Sequence, residues 1–145
     1  MAYARTTWVD YPATTTAITA ARLNNIETGI LAVEAATGTG AYLFNTQTGT
    51  SYTLVLADGN PGKMVTLNNA GAITLTIPTN ASVALTLGSV VNITQLGAGQ
   101  VTVSPAGGVT LRSFASRYKL TGQYATATLM QLAANEWLLF GNTTT

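Results

Sequence analysis

The sequence contains neither cysteine nor histidine, and only 8% of its residues are charged. Without cysteine there is no disulfide and no thiolate, so the redox compartment is not readable. Without histidine there is no imidazole to serve as acid, base or ligand, which excludes zinc clusters and the Ser-His-Asp and Cys-His arrangements. The carboxylates are Asp10, Glu27, Glu34, Asp58 and Glu136. Two of them fall in one helical segment, one near the N-terminus and one in a turn signal, so a paired general acid and base would need these separate segments to converge. The expectation is a protein that is not an enzyme, with no catalytic residue, no metal ligand and no cofactor.

Charge is scarce in both signs. Six basic residues stand against five acidic ones, for a net charge of +1, and the one local basic grouping is Arg112, Arg117 and Lys119. That is no footprint for nucleic acid. The opening MAYARTTWVDYP lacks the apolar stretch of a signal peptide, and no apolar run approaches the ~20 residues of a membrane span. Neither nucleic acid nor membrane is therefore an expected partner. A typical globular chain is about 25% charged, whereas here Thr, Ala, Gly and Asn fill the polar positions. Such a surface invites association, and the 47% hydrophobic content suffices for a core.

What the chain does contain is one helical pattern and a long β pattern. Residues 20–36, AARLNNIETGILAVEAA, place Leu23, Ile26, Ile30 and Val33 at intervals of three, four and three. This is the spacing of a short coiled-coil seam, with Arg22 and Glu27 at the flanking positions where opposite charges meet between parallel helices. A second reading stands beside it, a single amphipathic helix packed on a β domain, and Leu31, off the seam, favours that one. Two heptads are too short to associate alone. Residues 1–19 form an arm with Trp8, Asp10, Tyr11 and Pro12, and Thr14 to Thr16 or Thr19 supplies a helix cap. The aromatics either staple the first helical turn or anchor the chain in another subunit.

Residues 37–50 read as a Gly- and Thr-rich linker with room for a short strand at its apolar island, Ala41 to Phe44. Beyond it, in residues 51–145, the period becomes two, with ten candidate strands separated by turn signals such as Asp58 to Gly62 and Pro105 to Gly108. Gly97-Ala98-Gly99 reads as a hairpin loop. The predicted fold is mainly β: an N-terminal arm and short α-helix followed by an antiparallel β-sandwich or barrel-like domain. Ile73, Leu75, Ile77, Val101 and Val103 are expected in the core, with the alternating threonines outside as solvated surface or as a flat contact face. Trp137, Leu139 and Phe140 are expected to close the core, where Tyr42, Phe114 and Tyr118 are also expected. Gly59 to Met64 carries the Gly-Lys of a phosphate loop but lacks its first Gly and its Ser or Thr, so it is a turn.

Taken together, Trp8-Val9-Asp10-Tyr11-Pro12, the Thr14 to Thr16 run and Ile18-Thr19-Ala20-Ala21-Arg22-Leu23-Asn24-Asn25-Ile26-Glu27 resemble the N-terminal segment of structural proteins of tailed bacteriophages. That segment carries a Trp, an acid and a Pro ahead of an Ile-x-Ala-x-x-Leu-Asn-x-x-Glu helix. Ala17 stands where those segments often have proline. The remainder, with Tyr52 to Asp58, Gln95 to Val103, Gly108 to Leu111, Gly122 to Tyr124 and Trp137 to Gly141, is similar to a small β domain of phage fibre and decoration proteins. The resemblance implies a virion surface component, assembled from the host cytoplasm and usually trimeric. Its partners would be itself, as a homotrimer, and the major capsid protein or another virion protein. Trp8, Asp10, Tyr11 and Pro12 would attach it. A capsid decoration protein is expected over a tail fibre or receptor-binding component, because the chain shows no long shaft repeat and its loops offer mainly small polar residues.

Overall fold

A computed structural model describes residues 23–28 and 42–145. The chain divides into two compact units, Met1–Ala41 and Tyr42–Thr145. In the first, residues 23–28 are α-helical (α1), within the segment expected to be a helix. Thr28 Oγ1 donates to the carbonyl of Asn24 at 2.7 Å, the back-bonding one turn earlier that helical threonines adopt.

The second unit is mainly β. Its strands are β1 (Leu43–Gln47), β2 (Ser51–Thr53), β3 (Lys63–Leu67), β4 (Ile73–Ile77), β5 (Val90–Gln95), β6 (Val101–Pro105), β7 (Thr110–Ser113), β8 (Lys119–Leu120), β9 (Thr126–Ala133), β10 (Glu136–Gly141) and β11 (Thr143–Thr144). They form a six-stranded sheet I in the order β1-β3-β5-β9-β10-β7 and a five-stranded sheet II in the order β11-β8-β6-β4-β2. From β1 to β6 the chain alternates between the sheets, and within each the successive strands pair in parallel: β1 with β3 with β5, and β2 with β4 with β6. This is a solenoid-like winding of three coils. Antiparallel pairing enters with β9 between β5 and β10, and with β8 beside β6 and β11. The expected antiparallel sandwich or barrel is thereby corrected. The strand content stands, and the first half of the unit is parallel.

The corners explain the winding. Gly97-Ala98-Gly99 is not a hairpin loop, because β5 and β6 lie in different sheets. It is a corner stacked on the corner of the preceding coil: Gly99 N–H donates to the Asn69 carbonyl at 2.9 Å and Gly97 N–H to that of Leu67 at 3.2 Å. Asn69 Nδ2 in turn donates to the Thr48 carbonyl at 2.5 Å, which ties the first coil to the second. Neither Gly97 nor Gly99 has a positive φ. Glycine is needed there for space, since a Cβ at Gly97 would be driven into the backbone of Asn69 and one at Gly99 into that of Gly71.

Alternation places the core between the sheets. Val65, Leu67, Val91, Ile93, Leu129, Trp137 and Leu139 point in from sheet I, and Ile73, Leu75, Ile77, Val101, Val103 and Leu120 from sheet II. All are buried, as expected for the Ile73, Val101, Trp137 and Leu139 sets. Phe140 is a correction, because β10 alternates Trp137 and Leu139 inward with Leu138 and Phe140 outward, leaving Phe140 44% exposed. Tyr42 and Phe114 are likewise exposed, whereas Tyr118 is half-buried against the core. One segment differs from its sequence reading: Val83 to Leu87 forms no strand. β1 is a short strand within the 37–50 segment, where the sequence allows one.

Candidate interaction surface

The outward face of sheet I is built from cross-strand rows. Phe44, Met64, Asn92, Thr128 and Phe140 stand opposite one another along one row, and Val90, Met130, Leu138 and Arg112 along the next. A third row is threonine throughout: Thr46, Thr66, Thr94 and Thr126, of which Thr66 and Thr94 are buried. Phe44, Val90, Leu132 and Phe140 are all exposed. The one charged side chain in these rows, Arg112, sits at the sheet edge and is ion-paired with Glu136.

Most of the polar side chains of this face are bonded to one another, Thr126 excepted. Thr66 Oγ1 donates to Thr46 Oγ1 at 3.0 Å, Thr128 Oγ1 to Asn92 Oδ1 at 2.9 Å and Thr94 Oγ1 to Met64 Sδ at 3.2 Å. Covering such a face strands few unsatisfied hydroxyls, which is the usual penalty for burying a polar surface. Sheet II differs. Its outward side chains include Ser51, Thr53, Thr74, Thr76, Thr102 and Ser104, and none of these hydroxyls makes a hydrogen bond among the described residues. They depend on water. The two threonine-bearing faces, indistinguishable in sequence, thus have different surface chemistry.

The first coil adds an edge. Among the described residues β1 and β2 are edge strands of the two sheets, and neither strand carries a charge or a proline. Leu43, Phe44, Val55 and Leu56 are 44–67% exposed there. At the other side of sheet I the edge strand β7 carries Arg112. Behind this edge lies a polar knot. Asp58, 1% exposed, accepts from Asn45 Nδ2 at 2.7 Å, from the Tyr52 hydroxyl at 2.8 Å and from the Val55 N–H at 2.9 Å. Asn45 Nδ2 also donates to the Tyr52 hydroxyl, and Gln47 Nε2 to Asn45 Oδ1. Burial, reinforced by the bond to Asp58, pushes the Tyr52 phenol up to about 12. These bonds join β1, β2 and the 3₁₀ turn Leu56–Gly59 into one rigid coil. The sequence offered Asp58 as a turn residue, and only the topology brings Asn45 and Tyr52 to it.

Of the residues expected to attach or to join subunits, Trp8, Asp10, Tyr11, Pro12, Arg22, Ile30 and Val33 lie outside the described residues. On α1, Leu23 is half-buried, Ile26 is 58% exposed and Glu27 is buried. Compared with protein families and with curated proteins, the chain matches none.

Proposed function

We propose that the chain is a non-enzymatic structural protein of a tailed-bacteriophage virion, a trimeric capsid decoration protein that binds the head surface and stabilises the capsid lattice. The observation that carries this reading is the outward face of sheet I, an apolar-rich, nearly uncharged surface on which Thr66 is bonded to Thr46, Thr94 to Met64 and Thr128 to Asn92. Such a face suits contact with protein, because each large apolar side chain buried there contributes about 1.5–3 kcal/mol at little desolvation cost. The unguarded first coil supports the same reading, since strand edges of this kind are covered in stable assemblies. The seam Leu23, Ile26, Ile30 and Val33 would align three subunits, and the arm with Trp8, Asp10, Tyr11 and Pro12 would fasten them to the major capsid protein or another virion protein.

The second reading, a tail fibre or receptor-binding component, draws on the loop at Phe114, which holds an exposed aromatic side chain beside a cation. Gold-labelled electron microscopy of virions with an antibody to residues 51–141 separates the two. Label distributed over the head is the expected outcome. Label confined to the tail end would replace decoration by the fibre reading, and unlabelled virions would refute both.

A further inference from the structure

Sheet II carries a groove of about 410 Å³, within the range of small-molecule sites, lined by Thr102, Ser104, Ser116, Tyr118, Lys119 and Thr145 among others. Thr102 on β6 stands directly opposite Lys119 on β8, and Ser104 lies two residues along on the same face. Within residues 42–145 there are two acidic side chains. Asp58 is enclosed in its knot and Glu136 is paired with Arg112, so Lys119 has no side-chain carboxylate partner in this unit. The hydroxyls of Thr102, Ser104, Ser116 and Thr145 are also unbonded among the described residues. The Tyr118 hydroxyl is fixed, donating to the Leu111 carbonyl at 3.2 Å, so its ring presents an apolar flank and its oxygen can only accept.

The loop that delivers Ser116 is held in a costly shape. Ala115 and Ser116 both adopt left-handed backbone, with φ of 53° and 54°, a conformation that non-glycine residues enter at an energetic cost. Ser113 Oγ donates to the Arg117 carbonyl at 2.7 Å, and the Arg117 guanidinium sits 5.3 Å from the centre of the exposed Phe114 ring. The groove therefore combines one unpaired ammonium group, several hydroxyls that both donate and accept, and an apolar ring face.

From this combination we infer that the groove binds a sugar bearing one anionic group, either a carboxylate or a phosphate. Hydroxyl groups on both sides of the contact satisfy one another in either direction, which a bare anion cannot do. Lys119 supplies the charge-assisted bond to the anionic substituent, and the Tyr118 ring packs against the C–H face. The inference is independent of where on a virion the chain sits.

The test is a titration of the ¹⁵N-labelled full chain, followed by amide shifts, with four probes: D-glucuronate, glucose 6-phosphate, glucose and inorganic phosphate. The expected result is binding of at least one anionic sugar, with shifts at Ser104, Ser116 and Lys119 and a Kd on the order of 1 mM. Whichever of the two binds tighter identifies the anion. Glucose and inorganic phosphate each bind about tenfold more weakly or worse, the cost of one charge-assisted hydrogen bond. Lys119→Gln brings the anionic sugar down to the level of glucose, Lys119→Arg restores it, and Lys63→Gln, on sheet I, changes nothing. Equal affinity for glucose and glucuronate, inorganic phosphate binding as tightly as glucose 6-phosphate, or no shift with any probe would each overturn the assignment.

Discussion

At the scale of single residues, Asp58 has the most consequential setting in the β unit. A buried carboxylate that accepts three bonds is stable because its lone pairs are met by Asn45, Tyr52 and the Val55 amide, and each such charge-assisted bond exceeds a neutral one. Asp58→Asn removes the charge and one acceptor, and is expected to destabilise the unit by about 1–3 kcal/mol, read as a fall in Tm. Tyr52 gives a second readout. Its phenol is raised from the ordinary 10.0 to about 12 in the folded chain, so the folded state holds its proton more tightly than the unfolded one. The resulting stability is fully present below pH 10 and is lost as pH rises towards 12. Ultraviolet titration of the phenolate checks the value. In Asp58→Asn the midpoint falls part of the way back, since burial, the largest cause, remains. A wild-type Tyr52 midpoint at 10 would refute the knot. The sequence made Asp58 legible as a turn residue but not as a buried acid, because its partners are 13 and 6 residues away and only the coil brings them together.

At the scale of elements, the corners and the outward faces decide behaviour. Gly99→Ala forces a methyl group into the backbone of Gly71 and is expected to cost about 1–3 kcal/mol in chemical denaturation, as overpacked sites do. Ala98→Ser, at the exposed tip of the same corner, should stay within about 0.5 kcal/mol of wild type. Equal effects would mean that the corners do not stack. The Gly-Ala-Gly signal reads as a hairpin because a tight corner looks the same locally whether the next strand returns beside the last or crosses to the facing sheet. The parallel partner of β6 is β4, more than twenty residues earlier, and no local pattern encodes that choice. On sheet I, Phe140→Glu places a charge in an outward row that otherwise carries none, beside the row that ends at the paired Arg112. If that row is a subunit contact, the variant reduces the light-scattering mass while leaving Tm unchanged. An unchanged mass removes this face from the interface.

At the scale of the whole molecule, the proposed trimer predicts a solution mass near three times that of the 15.0 kDa chain at micromolar concentration. Ile26→Asp should dissociate it, because an unpaired carboxylate in a helical seam is costly. A monomeric wild type at every concentration would refute self-association in solution. Sequence alone determined the β-rich class, since strict alternation in Ile73 to Ile77 and Val101 to Val103 can bury one face only as strands. It also determined the scarcity of charge, which is a matter of composition. What it could not determine was how the strands pair. Parallel and antiparallel partners place the same alternating residues on the same faces, and the choice rests on contacts far apart in the chain. Tertiary structure alone decided that Thr66, Thr94 and Thr128 of sheet I find side-chain partners on neighbouring strands while the threonines of sheet II stay open. Hydroxyl pairing depends on which strand lies alongside, and that is set by the stacking of the coils.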